Sequence, residues 1–171
     1  MRVPLPQSPR LGFALIAVMA AGLVGVGFVI GELMRINPCP LCIFQRVLYL
    51  VVAAWALFGM LLPWLRRLWA VLLAATASGG LATAIYQTWI QLNPEAVSAV
   101  CGAGEMSPIE RFVDWLGMQS PTLFMATGFC TSKENILGLT MANWSILCFS
   151  GFLLAGLWVG FHRLAGRNYF S

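Results

Sequence analysis

Five cysteines carry the redox chemistry open to this chain: Cys39, Cys42, Cys101, Cys130 and Cys148. Cys39 and Cys42 form a C-x-x-C. Ile43 follows them, so the histidine that covalent haem attachment needs is missing. A four-cysteine zinc site pairs two closely spaced C-x-x-C turns, whereas Cys101 and Cys130 stand far apart, so no metal is expected. Thiol–disulfide exchange and a structural clamp remain. The four outer cysteines allow several pairings, and sequence alone does not choose among them.

The residues around the C-x-x-C favour exchange. Asn37-Pro38-Cys39-Pro40-Leu41-Cys42 opens an apolar run. Pro40 suits a first helical turn, which puts Cys39 near the cap and Cys42 just inside. Unbonded N–H groups at a helix start favour a thiolate. Arg46, four residues beyond Cys42, shares that helix face one turn deeper and acts in the same direction. An arginine at the centre of a membrane span costs about 2.5–3.5 kcal/mol, less near the interface. Two readings of Arg46 stay open: a side chain snorkelling to the headgroups, or a cation facing the interior beside a thiolate and an electron acceptor. Cys148, inside an apolar run, reads as an inert small hydrophobe.

The elements that position these residues follow from composition. The 171 residues are 60% hydrophobic and 9% charged, against about 25% charged in a soluble domain. That excludes an ordinary soluble globule and a disordered chain. The net charge of +4 comes from basic residues flanking apolar runs, a membrane pattern and not a nucleic-acid patch. Four stretches, about 11–31, 44–64, 68–90 and 144–161, are each long enough to span a hydrocarbon layer as a helix. The first exceeds a signal-peptide core and reads as a retained span. The expected fold is an all-α membrane protein, one four-helix domain over residues 1–171, with outer loops at about 32–43 and 91–143.

Arg2, Arg10, Arg66, Arg67, Arg163 and Arg167 share one face on short segments. Arg35, Arg46, Arg111 and Lys133 lie on the other face, over longer segments. The positive-inside rule puts both termini in the cytoplasm and the four loop cysteines outside, where disulfides persist. His162, at the inner end of the last span, has an interfacial role. In the second loop, Ser107, Pro108 and Glu110 form a capping box. Ile109, Phe112, Val113 and Leu116 make an apolar face, and Gly117 is the expected stop. This helix, residues 108–116, is expected on the membrane surface, with packing on the rest of the loop as the alternative. The pairs Gly27/Gly31 and Gly156/Gly160 predict close helix packing inside the bundle rather than a dimer face.

The chain resembles the DsbB family of bacterial disulfide bond formation proteins over nearly its whole length. The resemblance rests on Asn37-Pro38-Cys39-Pro40-Leu41-Cys42-Ile43-Phe44-Gln45-Arg46 and on the spacing to Cys101 and Cys130. It extends to Ala126-Thr127-Gly128-Phe129-Cys130 and Leu137-Gly138-Leu139-Thr140-Met141. It implies a protein-disulfide:quinone oxidoreductase of the bacterial inner membrane. Such an enzyme reoxidises a periplasmic thioredoxin-like dithiol protein, DsbA, and passes two electrons to membrane quinone. By the same resemblance, Cys101 forms the mixed disulfide with the partner, Cys130 carries the exchange to Cys39, and Cys42 is freed as the thiolate that meets the quinone. Arg46 matches the arginine that stabilises that site. Two departures stand out: Gln45 replaces a glutamate frequent in relatives, and Thr88 takes the place of a histidine found in some.

Structural disulfides have potentials below about −300 mV and DsbA lies near −120 mV, so a bond of the structural kind would oxidise it only about 8 kcal/mol uphill. A working Cys101–Cys130 bond is therefore unusually oxidising, or is pulled by quinone reduction. The rivals are a membrane protein whose outer loops are merely stapled by disulfides, and a reductive electron carrier. The implied resting pairs are Cys39–Cys42 and Cys101–Cys130. In intact cells, a membrane-impermeant thiol reagent should label these four cysteines only after reduction. Labelling without reductant would exclude the resting pairs.

Overall fold

The computed structural model describes residues 9–35, 37–93, 107–126, 128, 135–136 and 138–161. Its elements in order are α1 (Pro9–Leu33), α2 (Pro40–Leu61), a 3-10 turn (Pro63–Leu65), α3 (Arg66–Leu92), α4 (Pro108–Gln119), α5 (Pro121–Phe124), a hairpin of β1 (Asn135–Ile136) and β2 (Leu139–Thr140), and α6 (Met141–Phe161). Helices α1, α2, α3 and α6 are long and apolar enough to cross a membrane. At 1.5 Å per residue they measure about 32–40 Å, more than a hydrocarbon layer of about 30 Å. Their outward faces carry side chains such as Val18, Val29, Leu57 and Leu154, which suit lipid rather than water. The chain is thus a four-helix membrane bundle.

The helix ends have local causes. Pro40 opens α2 behind the N-cap Cys39, as expected of a first-turn proline, so the helix begins before the apolar span drawn from residue 44. Leu62 closes it by donating its N–H to Phe58 O, because Pro63 has no N–H with which to continue. The 3-10 turn then delivers Arg66 and Arg67 to the start of α3. Arg35, at φ 50°, turns the chain out of α1. Gly138, at φ 83°, makes the β1–β2 turn that leads into α6, which begins at Met141 rather than at 144.

The core runs down the bundle axis. Phe13 and Ile16 of α1, Tyr49 and Val52 of α2, Leu73 of α3, and Phe149 and Phe152 of α6 form one buried cluster. Tyr49 stacks on Phe149 with ring centroids 4.2 Å apart. Glycines admit the large partners. A Cβ on Gly80 would collide with the Phe149 ring, and one on Gly59 would lie 2.9 Å from Phe13. Gly156 seats Leu73 and Gly160 seats Ala70, so this pair does bring α6 against α3. Gly27 and Gly31 do not serve that purpose. A Cβ on Gly27 would meet nothing, and one on Gly31 would meet only the Arg46 guanidinium.

The loop helix departs from expectation twice. Its capping box is present, but α4 runs through Gly117 to Gln119 and ends against Pro121, which cannot continue it. Gly117 serves a close approach instead, since a Cβ there would lie 3.3 Å from Phe124 O. The apolar face also packs on the bundle end and not wholly on the membrane surface. Val113 is 1% exposed, Ile109 sits over Cys39 and Leu41, and Phe112 meets Phe44 edge-on at 6.2 Å. Phe112 and Trp115 remain exposed beside this contact.

The α3–α6 seam yields a stability test. Gly156→Leu should cost about 1–3 kcal/mol by overpacking Leu73, read as a lower midpoint of thermal unfolding in detergent. Gly22→Leu, which faces open space, should stay near wild type.

Candidate functional site

Cys39 sits at the N-cap of α2 in extended conformation, with φ −81° and ψ 163°. Its sulfur accepts the Cys42 backbone N–H at 3.3 Å, in the way a serine oxygen would cap a helix. Pro40 removes one of the donors that a helix start leaves unbonded. The first turn of α2 then brings the two sulfurs to 2.8 Å, with the Cys39 thiol donating to Cys42. Both cysteines are free thiols here. Cys39 is 3% exposed, covered by Leu41, Ile90 and Ile109.

From α3, Gln87 reaches across to both sulfurs. Its Nε2 lies 3.1 Å from Cys42 Sγ and 3.5 Å from Cys39 Sγ. Gln45 Nε2 donates to Gln87 Oε1 at 2.8 Å. Sequence reasoning missed Gln87 and pointed to Thr88, one position on. One residue turns a helix by about 100°, and Thr88 accordingly faces elsewhere: its hydroxyl donates to Ala84 O at 3.0 Å and meets Asn143. The available signal was a pair of glutamines, Gln87 and Gln91, four residues apart in an apolar span, since polar residues there face the bundle interior.

Arg46 lies one turn below Cys42, and its side chain crosses to α1, where Nη2 donates to Gly27 O at 3.4 Å. The side chain thus turns to α1 and the cavities between the helices. Gly31 borders the guanidinium, since a Cβ there would lie 3.5 Å from Nη2. Arg46, Cys42 and Gln87 edge a cavity of about 300 Å³ whose other walls include Leu23, Val24 and Ile30 of α1 and Trp144 of α6. Cys148 lines the same cavity from α6. A second, polar cavity of about 380 Å³ lies on the far side of Arg46, towards Glu32, Arg35 and Pro121.

Cys101 and Cys130 lie outside the described residues. Gly128, two positions before Cys130, donates its N–H to Pro38 O at 3.1 Å, next to Cys39. A Cβ on Gly128 would overlap Asn37 O, so this approach requires glycine.

Reactive sulfur at the end of a four-helix membrane bundle defines a class, the integral membrane thiol–disulfide oxidoreductases. Comparison with known proteins narrows it. The family model described as disulfide bond formation protein DsbB matches residues 9–159. A disulfide bond formation protein B from Dechloromonas aromatica is 48% identical over 143 residues, 83% of this chain and 86% of the relative. Proteins of the same name from Azoarcus sp. and Nitrosomonas europaea are 34% and 37% identical, covering 94% and 86% of this chain and 98% and 92% of their own lengths. The chain belongs to the DsbB family, and it is an enzyme, a disulfide oxidoreductase of the membrane.

Docking at Pro38 can be tested directly. Gly128→Ala should slow thiol–disulfide exchange between the second-loop cysteines and the Cys39/Cys42 pair about tenfold, through misplacement of the reacting sulfurs. Rapid quenching with acid and mass mapping of the disulfides reads the rate. Wild-type exchange in that variant would show that the contact does not position the loop.

Proposed function

We propose that the chain oxidises a periplasmic thioredoxin-like dithiol protein of the DsbA type and delivers the electrons to a membrane quinone. The observation that carries this reading is the cavity of about 300 Å³, largely apolar, with Cys42 and Arg46 at its edge. A flat carbonyl ring with an isoprenoid tail fits such walls: Leu23, Val24 and Trp144 suit the apolar surface, and Arg46 suits a carbonyl oxygen. When bound, a quinone supplies a two-electron, two-proton acceptor. Overall, the partner dithiol becomes a disulfide while one quinone becomes a quinol.

Each residue then has a chemical task. Cys101 takes the partner into a mixed disulfide, which frees Cys130 to attack Cys39, while the partner's second thiol closes the partner's own disulfide and releases Cys101. Attack at Cys39 releases Cys42, whose charge is held by the helix start and by Arg46. The Gly128–Pro38 hydrogen bond supports this order, because it docks the chain just before Cys130 beside Cys39. The topology keeps both termini in the cytoplasm of a bacterial inner-membrane protein and its cysteines periplasmic. Arg66 and Arg67 support it, since α2 separates them from Cys39 by its full length.

Purified chain mixed with a reduced periplasmic dithiol protein and a soluble quinone should consume quinone catalytically. No turnover in a folded preparation would favour stapled loops, and net reduction of the partner would favour the reductive carrier. In the same assay, Arg46→Lys should keep partial activity with a raised KM for quinone, because the ammonium lacks the planar, multi-donor head. Arg46→Met should lose about a hundredfold, as for removal of one electrostatic donor from an active site. Exchange with the partner protein, followed without quinone, should survive both changes. Wild-type quinone parameters in Arg46→Met would leave Arg46 a mere anchor.

A further inference from the structure

Three polar side chains are buried among the described residues: Gln45, Gln87 and Gln91. Gln45 is 4% and Gln87 2% exposed. Burying an amide is costly unless its hydrogen bonds are made, and a leucine would serve packing at either position. These two amides are spent on each other and on sulfur. Gln45 donates to Gln87 Oε1, which leaves the Gln87 N–H₂ end to face the sulfurs. A primary amide has one donor end and one acceptor end, and only the donor end stabilises a thiolate. In this arrangement the contact from Gln45 holds Gln87 with its N–H₂ end towards the sulfurs.

The donors are not shared equally. Cys42 Sγ accepts from the Cys39 thiol at 2.8 Å and from Gln87 at 3.1 Å. Cys39 Sγ accepts the Cys42 backbone N–H at 3.3 Å, and Gln87 is 3.5 Å away. We propose that Gln87, oriented by Gln45, is a positioning residue that assigns the negative charge of the reduced pair to Cys42 rather than Cys39. The proposal deepens the reading above, in which Cys42 is the sulfur that hands electrons on. When a second-loop thiolate attacks Cys39, a new S–S bond forms there, the Cys39–Cys42 bond breaks, and its electron pair leaves on Cys42. The Gln87 N–H₂ is already aimed at that sulfur, so the charge is met without a proton transfer. Among the described residues, the ionisable groups that share the cavity wall with the pair are Arg46 and Tyr49 on α2 and Cys148 on α6, with none from α1 or α3; α4, which packs over Cys39, carries Glu110, Arg111 and Asp114.

The test uses the full chain in detergent, reduced, with neither quinone nor partner protein. Alkylation of Cys42 and Cys39 by iodoacetamide is followed from pH 6 to 10 by peptide mass spectrometry. Gln87→Met keeps the side-chain volume but has no donor. At pH 7 it should slow Cys42 alkylation about tenfold, the scale of one hydrogen bond to a charged group. The deficit should narrow as the pH rises towards 10, whereas a packing defect or lost access would persist at every pH. Gln45→Met should shift the profile the same way but less, although residue 45 touches neither sulfur. A wild-type Cys42 profile in Gln87→Met, or a deficit independent of pH, overturns the proposal. An unchanged profile in Gln45→Met overturns the orienting role. Failure of the wild-type chain to reduce quinone would sink the proposed function and leave this result standing, so the two failures are separable.

Discussion

A helix that starts at the edge of a hydrocarbon layer has several backbone N–H groups and little water to satisfy them. At the start of α2 that need is met by Pro40, which brings no donor, and by the sulfur of Cys39, which accepts the Cys42 N–H. The rest of the site depends on this cap. It fixes Cys39 at the N-cap and Cys42 in the first turn, so the two sulfurs must meet. It also aims the positive end of the α2 dipole at them. The redox centre is therefore part of the helix's own termination. Its geometry is set by backbone hydrogen bonding, not by loop packing.

The cap alone would leave charge near lipid, and the neighbouring helices answer that. Arg46 brings a cation one turn deeper, where an isolated arginine is unfavourable by a few kcal/mol. α1 receives it with backbone: Gly27 offers a carbonyl oxygen, and Gly31 lies alongside the guanidinium. α3 contributes an amide rather than a second charge. The outcome is one cation near one sulfur pair, ringed by neutral donors and apolar walls. That balance keeps the cavity apolar while still favouring an anion at a single point. The same small residues recur where helices touch, at Gly156 and Gly160, but there they admit Leu73 and Ala70 instead of a functional side chain.

Much of this was legible in the sequence where chemistry is local. Span count follows from uncharged run length, the α2 start from Pro40 behind Cys39, and the α4 start from Ser107 and Glu110, because each depends on residues within one turn. The misses are tertiary. Thr88, read as the place of a histidine found in some relatives, faces away from the sulfurs while its unremarked neighbour Gln87 faces them; one position turns a side chain by about 100°, and only the packing of α3 on α2 fixes that phase. Gly117 looks like a stop in sequence, but α5 folds back on it, so the glycine serves an interhelix approach. The apolar face of α4 could match lipid or protein equally well by pattern, and the burial of Val113 decides the matter. The Gly27/Gly31 pair has the same spacing as Gly156/Gly160 and a different partner, which spacing cannot encode.

Burial of Cys39 constrains how electrons can enter. With Ile109, Leu41 and Ile90 packed around it, this sulfur is withdrawn from bulk thiols. The Gly128 N–H on Pro38 O brings the chain's own backbone to the N-terminal edge of the cap. Glycine is what lets the backbone come that close, since any Cβ there would strike Asn37 O. Cys39 is shielded by Leu41, Ile90 and Ile109, while Cys42 beside it edges the apolar cavity. One helical turn thus holds two sulfurs in different surroundings: an exposed Cys39 would leave the pair open to any thiol in water, and the packing of Ile109 removes that exposure.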